Sequence, residues 1–205
     1  MLGRHPAELL LASGAIVLGS WFAASIANGA AIANGAAPQE PVFVLTSTTF
    51  KDGGMMPRRT AFKANAEFPY CFGENISPQL AWVNPRPGVK SFAITMFELE
   101  GGPAHTDLVV YGIPANVSSF AEGELSKPSA KFVGGKALRS AGTWHGMCPP
   151  PNVGNAAHHY EFRIRGTDLE PKELPPGLTA DELDARLKDH TKGQALMVSL
   201  FVRPE

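Results

Sequence analysis

The sequence has little cysteine, few aromatic residues and no excess of basic residues. Only 2 of the 205 residues are cysteine, aromatic residues make up 9%, and the formal net charge is −1. A protein that neutralises several phosphates needs a basic surface, so the charge balance excludes general electrostatic binding of nucleic acid. No run of lysine and arginine is present that would attract an anionic membrane surface.

The common catalytic and cofactor patterns are absent as well. There is no Gly-x-Ser-x-Gly elbow, no Walker loop, no dinucleotide glycine fingerprint and no His-Glu-x-x-His helix. Cys71 and Cys148 are too far apart for a thioredoxin-type pair, and two cysteines alone do not make a zinc site. We therefore expect a protein that is not an enzyme, with no catalytic residue, no cofactor and no bound metal.

The N-terminal segment is typical of an export signal. Arg4 and His5 precede a stretch from Leu9 to Gln39 without charged side chains, and Ala31-Ile32-Ala33 places small residues where a signal peptidase requires them. The predicted organisation is a signal peptide (1–33), a linker (34–41) and one domain (42–205). The alternative is an uncleaved transmembrane anchor, because the apolar run is long enough to span a bilayer. With cleavage, the mature protein is periplasmic or secreted.

The two cysteines both lie in the predicted mature chain. An exported protein meets an oxidising compartment, in which cysteine pairs commonly form disulfides. One disulfide between Cys71 and Cys148 is the simpler interpretation, and two buried free thiols are the alternative.

Hydrophobic patterns predict a mostly β protein. Turn formers are abundant, with 18 Pro and 21 Gly. The predicted strands are 42–45, 91–98, 108–113, 160–165 and 194–202. We expect 91–98 and 108–113 to pair in the core, and 160–165, which alternates apolar and charged residues, to have one face in solvent. The segments 62–82 and 114–139 lack a sustained period, and they are predicted to be an ordered loop and a surface excursion.

One helix is expected near the C-terminus. Thr179-Ala180-Asp181-Glu182 has the pattern of a capping box, in which the threonine hydroxyl and the glutamate satisfy the first backbone amides. The helix is predicted from about Ala180 to His190, with Leu183 and Leu187 facing the body of the protein.

Polar side chains gather at the ends of the predicted strands. These residues are Glu98, Glu100, His105, Asp107, His158, His159 and Tyr160. Each of them alone is more often a surface or structural residue than a ligand contact. Their arrangement, however, is similar to that of a known family.

Two separated motifs carry this resemblance. The run Asn75 to Trp82, followed by Lys90 to Thr95, resembles the first signature of the phosphatidylethanolamine-binding proteins, also called the Raf kinase inhibitor family. Gly146 to Pro150 and then His158 to Phe162 resemble the second signature. The similarity covers nearly all of the predicted mature chain, from about Val42 to Val202.

The bacterial exported subgroup of this family is the most similar. Its members carry one cysteine before the Asn-x-Ser-Pro run and another in the Gly-x-Cys-Pro-Pro loop, as Cys71 and Cys148 do here. The resemblance places these two loops against each other and thus implies that the two cysteines are joined.

The resemblance also implies an antiparallel β core with a C-terminal helix and a small pocket at one end that binds phosphate-like or carboxylate anions. A phenol and an imidazole donate hydrogen bonds to such an anion, and a proline-rich loop supplies a fixed wall. The residues that match the family's pocket are the acids Glu98 and Glu100, His158, Tyr160, and the wall residues Gly146, Pro149 and Pro150.

The sequence departs from the family where the second pocket histidine is expected. Asp107 occupies that place, and His105 lies two residues earlier, on the same face if the strand is regular. Three acids, Glu98, Glu100 and Asp107, would repel a simple anion. The cluster therefore predicts either a ligand with a cationic part or a carboxyl group that keeps its proton.

We thus expect a non-enzymatic protein that binds a small anionic or zwitterionic ligand, of the phosphate or phospholipid head-group type, with a possible inhibitory role towards a partner protein. The first alternative is a pure protein–protein regulator, similar to kinase or protease inhibitors, with a vestigial pocket. A hydrolase is the second, and it would need a divalent metal held by Glu98, Asp107 and His158.

Overall fold

The computed structural model describes residues 40–101, 105–150 and 156–203. The predicted signal peptide and all of the predicted linker before residue 40 lie outside these residues. Within the described residues, no helix combines the length and the apolar character needed to cross a bilayer.

The described residues form two β-sheets and one α-helix, so the prediction of a mostly β fold with a C-terminal helix is confirmed. The elements are β1 (Val44–Thr46), β2 (Gly54–Met55), β3 (Leu80–Val83), β4 (Ser91–Glu98), β5 (Thr106–Pro114), β6 (Ser119–Phe120), β7 (Val133–Gly134), β8 (His158–Thr167), α1 (Ala180–Leu187) and β9 (Thr191–Phe201), with short 3₁₀ turns at Arg58–Thr60 and Glu124–Ser126.

The larger sheet has six strands in the order β2-β9-β8-β4-β5-β7, and the smaller has three in the order β1-β3-β6. All pairings are antiparallel except that of β2 with β9. The predicted pairing of 91–98 with 108–113 is confirmed, because Thr95 lies opposite Val109. β5 is buried over nearly all its length, as its apolar sequence predicted.

The two faces of the large sheet bury different side chains. Residues of alternate parity point to opposite faces of a strand, so Ile94 and Met96 pack towards the small sheet and Ala93 packs towards α1. Trp82 of the small sheet meets the ring of Phe92 edge-on, with ring centroids 5.3 Å apart. The strand ends that carry the polar residues therefore lie at the margin of a solid core.

Helix α1 begins as the sequence predicted. The Thr179 hydroxyl accepts a hydrogen bond from the Glu182 amide at 3.2 Å, and the Glu182 carboxylate accepts from the Thr179 amide at 2.9 Å. Leu183 and Leu187 are fully buried. The helix ends at Leu187, earlier than expected, because the chain turns there into β9.

Two expectations about irregular segments are wrong, and one about an exposed strand face holds only in part. The segment 114–139 is not a surface excursion, since Phe120, Leu125 and Phe132 are buried in the core. The last part of 62–82 forms β3. In 160–165 the part-exposed Glu161 and Arg163 keep the predicted solvent face, whereas Arg165 is buried under α1, where it pairs with Asp184. Single buried apolar residues, and a strand residue buried by a helix from elsewhere in the chain, leave no periodic pattern in the sequence.

Candidate ligand-binding site

The candidate site starts from a pair of residues facing each other across two strands. Glu98 is the last residue of β4, and the strand register places it directly opposite Tyr160 of β8. His158 begins β8 and lies two residues before Tyr160, so it shares the same face of the sheet. Three of the residues that the sequence singled out are thus brought together at one strand end.

Glu98 and His158 form a buried hydrogen-bonded pair. Nδ1 of His158 lies 2.5 Å from Oε1 of Glu98, and both side chains are only 9% exposed. A buried acid and imidazole in contact hold each other's orientation. The pair fixes the His158 ring at the margin of the site.

Asp107 joins this group because β5 is irregular at its beginning. The register of β4 and β5 shifts at the Met96–Phe97 step, which leaves Asp107 as the extra residue of a β-bulge. Its side chain is almost completely buried. Burial and the neighbouring Glu98 raise the pKa of Asp107 to about 8, although the positive charge of Arg139 opposes the change. At neutral pH this carboxyl group therefore keeps its proton and can donate a hydrogen bond.

Tyr160 supplies a second donor. It is fully buried, and its hydroxyl has no hydrogen-bond partner among the described residues. Burial, followed by the charges of Glu98 and Asp107, raises the pKa of Tyr160, so the phenol keeps its proton. An orphaned buried hydroxyl is costly in a folded protein, and it commonly marks a place where another molecule donates or accepts.

His145 is a further buried polar residue that the sequence analysis missed, and it shares the neighbouring charge of Arg139 with Asp107 and Tyr160. It is 2% exposed, its Nε2 has no hydrogen-bond partner among the described residues, and its ring stacks on Phe62 with centroids 3.9 Å apart. Burial, and then the charge of Arg139, lowers the pKa of His145 to about 4, so the ring is neutral at pH 7. The one feature of the sequence that could have revealed His145 is its position directly before Gly146, in the predicted wall loop.

The wall loop that contains Gly146 and Pro149 is held by the first motif. Asn75 has a left-handed backbone conformation, with a φ of 59°. Its side-chain oxygen accepts a hydrogen bond from the Gly146 amide at 2.8 Å, and its side-chain nitrogen donates one to the Trp144 carbonyl at 3.3 Å. A Cβ on residue 146 would lie 2.1 Å from the carbonyl oxygen of Thr60, so glycine is required there.

The disulfide fastens the same loop from the other side. Cys71 and Cys148 are joined, with their Cα atoms 5.5 Å apart. Pro149 is buried and Pro150 is half-buried. The wall next to His145 is therefore tied to residues about 70 positions away by both a covalent and a hydrogen-bonded link.

Two of the predicted site residues have other partners. Nδ1 of His105 lies 2.8 Å from the carbonyl oxygen of Gly101, so its ring is engaged by the backbone. The bulge at Asp107 interrupts the alternation on which the predicted role of His105 depended. Glu100 is exposed, and it accepts hydrogen bonds from the amide of His159 at 2.7 Å and from its ring at 2.5 Å.

The charge of Glu100 is nonetheless available at the rim of the site. Burial opposes its ionisation, but the hydrogen bonds from His159 hold the pKa of Glu100 below its ordinary value. In the part of the chain that the structure describes, no group of three or more histidine, cysteine, aspartate or glutamate side chains is arranged to hold a metal ion. Glu98, Asp107 and His158, the three residues that a metal-dependent hydrolase would require, are therefore not arranged as such a group.

These features define a two-sheet β protein with a buried polar group at its strand ends. The profile of the phosphatidylethanolamine-binding proteins matches residues 46–202. The chain belongs to the phosphatidylethanolamine-binding protein family, as its two motifs indicated.

Individual relatives agree with this assignment. The chain is 28% identical over 149 residues to a UPF0098 protein of Aquifex aeolicus, covering 70% of this chain and 85% of the relative. It is 27% identical over 169 residues to LppC of Mycobacterium tuberculosis, a protein named as a lipoprotein, covering 80% and 75% of the two chains. The crystal structure of Escherichia coli YbcL superposes with a TM-score of 0.67 at 24% identity, covering 78% of this chain and 97% of YbcL, which supports the fold.

Proposed function

We propose that this protein binds a small anionic or zwitterionic ligand, of the phosphate or phospholipid head-group type, at the strand-end group of Glu98, Asp107, His145, His158 and Tyr160. The observation that carries the proposal is the orphaned hydroxyl of Tyr160, buried within the electrostatic reach of Asp107, whose carboxyl group is protonated at neutral pH. Two neutral donors can share one anion without an ion pair.

The remaining charges suit the two ends of a zwitterion. The positive charge of Arg139 acts on Asp107, His145 and Tyr160, and it favours an anion there, against the negative charge of Glu98. The ionised Glu100 at the rim favours an amine. The group is buried, so ligand entry requires a covering side chain to move.

The proposed role is binding rather than catalysis. The side chains of the site supply hydrogen bonds and charge, and Tyr160 and Asp107 both keep their protons at neutral pH, which suits them as donors to a ligand. We further propose that the protein works outside the cytoplasm. The disulfide and the lipoprotein name of one relative support that location.

Replacing Tyr160 with Phe should weaken anion binding without weakening the fold. The substitution removes one unpartnered oxygen, so the free energy of unfolding without ligand should stay the same or rise by about 1 kcal/mol. A hydrogen bond to a charged ligand contributes about 1.5–3 kcal/mol, so sulfate or phosphate affinity should fall roughly tenfold to a hundredfold. Calorimetric titration and thermal unfolding with and without the anion measure the two effects.

Tyr111→Phe is the matched control. The Tyr111 hydroxyl donates to the Pro175 carbonyl at 2.5 Å and accepts from the Leu178 amide at 3.2 Å, next to helix α1. This substitution should destabilise the fold and leave anion affinity unchanged. If Tyr160→Phe binds the anion as tightly as the wild type, the ligand lies elsewhere.

Anion affinity should also fall as the pH rises through about 8. Below that value the Asp107 carboxyl group carries a proton and donates, and above it the carboxylate repels the anion. Sulfate is the better probe because it stays fully ionised between pH 6 and 9. Asp107→Asn, which mimics the protonated acid, should remove the pH dependence. A wild-type affinity that is constant over this range would show that Asp107 does not face the anion.

A further inference from the structure

Three arginines from distant parts of the chain converge on one short aromatic segment. The segment Phe68–Phe72 has the sequence Phe-Pro-Tyr-Cys-Phe and contains one half of the disulfide. Arg58, Arg139 and Arg203 come from three separate regions, each beside a different ring of this segment. A sequence without any basic run thus acquires a local positive surface through folding.

The contacts form a continuous ladder in which guanidinium groups and rings are linked in one series. Arg139 lies 4.9 Å from the Phe68 ring centre, and the Phe68 and Tyr70 centroids are 6.3 Å apart. Arg203 lies 5.4 Å from the Tyr70 ring centre and 6.0 Å from the Phe72 ring centre. Arg58 lies 5.2 Å from the same Phe72 ring centre. We call these six residues the arginine–aromatic ladder.

None of the three arginines forms an ion pair with an acidic residue in the described ranges. Arg58 donates to the Phe72 carbonyl at 3.0 Å, and Arg203 donates weakly to the Pro149 carbonyl at 3.4 Å. By contrast, Arg59, next in sequence to Arg58, is fully engaged by Glu122. The ladder therefore holds three positive charges that the described fold does not neutralise.

Stacking also prepares these side chains for binding. A guanidinium group lying over a ring keeps its in-plane N–H donors directed outwards, and these match the two oxygens of a carboxylate. Arginines already ordered by the rings lose less conformational entropy on association than free ones do. Arginine and tyrosine are also the residues that contribute most binding energy at protein interfaces.

We propose that the arginine–aromatic ladder is a docking surface for a carboxylate-rich segment of a partner protein. Three fixed guanidinium groups suit several acidic side chains presented in succession, whereas the strand-end group suits one small ligand. The ladder lies next to His145, with the Phe68 and His145 ring centroids 6.3 Å apart, and the charge of its Arg139 acts on Asp107 and Tyr160. A docked segment would therefore lie next to the site for the small ligand.

Binding of a fluorescent deca-glutamate peptide to the full mature protein tests the proposal by anisotropy at low ionic strength. The variant R58Q/R139Q/R203Q should weaken binding at least tenfold, and the variant with lysine at all three positions should restore it only in part, because lysine keeps the charge but not the fork or the stacking. The matched control is K51Q/K90Q/K192Q, which changes the net charge by the same amount at exposed sites outside the ladder.

The outcomes separate this proposal from its rivals. Equal loss in both triple variants would show attraction by net charge alone and would overturn the ladder as a specific surface. Binding to vesicles of 30% phosphatidylglycerol in phosphatidylcholine that depends on the ladder, with no peptide binding, would replace the protein partner by a membrane surface. Tyr160→Phe should leave peptide binding unchanged, so failure of the ladder proposal and failure of the small-ligand proposal are distinguishable.

Discussion

Replacing Asp107 with Asn should stabilise the protein by several kcal/mol at pH 9 and by little at pH 4. The pKa of this carboxyl group is about 8 in the folded protein against an ordinary value of 3.8. Between these values the folded state binds a proton that the unfolded state has released. The wild type therefore loses stability as the pH rises from about 4 to about 8, and no further loss from this group follows above that.

The size of the effect follows from the difference between the two pKa values. Each pKa unit corresponds to about 1.4 kcal/mol, so the full difference is on the order of 5 kcal/mol. The amide of the Asp107→Asn variant does not titrate, so the free energy of unfolding of this variant should change less with pH. Urea unfolding at pH 5, 7 and 9 measures the divergence of the two proteins.

Asp189→Asn is the control for this experiment, because Asp189 is an exposed carboxylate on the chain after α1. It should follow the wild type across the pH range. Parallel pH profiles for wild type and Asp107→Asn would mean that the carboxyl group at position 107 ionises in the folded protein as it does in the unfolded chain.

Replacing both cysteines with serine should lower the free energy of unfolding by about 4–5 kcal/mol in the chain-entropy account. The disulfide closes a loop between residues 77 positions apart, and its loss gives that loop its full freedom in the unfolded state. The loop with Gly146 would then be held only by noncovalent contacts, among them the Asn75 hydrogen bonds. Anion affinity should therefore fall along with stability.

Two measurements check this prediction. Wild-type protein unfolded in the presence of a reductant should show the same urea midpoint as C71S/C148S. Titration of thiols in the protein isolated from its native compartment should find none. Two reactive thiols there, or a double variant as stable as the wild type, would contradict the prediction.

Local patterns predicted the parts of the fold that local physics determines. Strand β4 was predicted with its observed bounds, because its β-branched and aromatic residues form one uninterrupted run. The first turn of α1 followed from its capping box. The core positions Phe120 and Leu125 were missed, since single apolar residues in a polar stretch become buried only through contacts with distant strands.

Sequence patterns likewise revealed some residues of the candidate site and missed others. Glu98, His158 and Tyr160 were found because they lie in motifs and at strand ends. His145 was missed, since its burial arises from Phe62, which is 83 positions away. The raised pKa of Asp107 depends on a β-bulge and on complete burial, and neither is visible in the residues around it.

The links that Asn75 makes with the wall loop bear on how quickly the site can form during folding. Its hydrogen bonds with Trp144 and Gly146 join residues 69 and 71 positions apart, and the Trp144 indole donates to Thr60 across 84 positions. Contacts of such sequence separation form only after large loops have closed, and β proteins dominated by them fold in milliseconds to seconds. The site should therefore be assembled late, and a partly synthesised chain would have no binding activity until residues beyond Gly146 are free to fold.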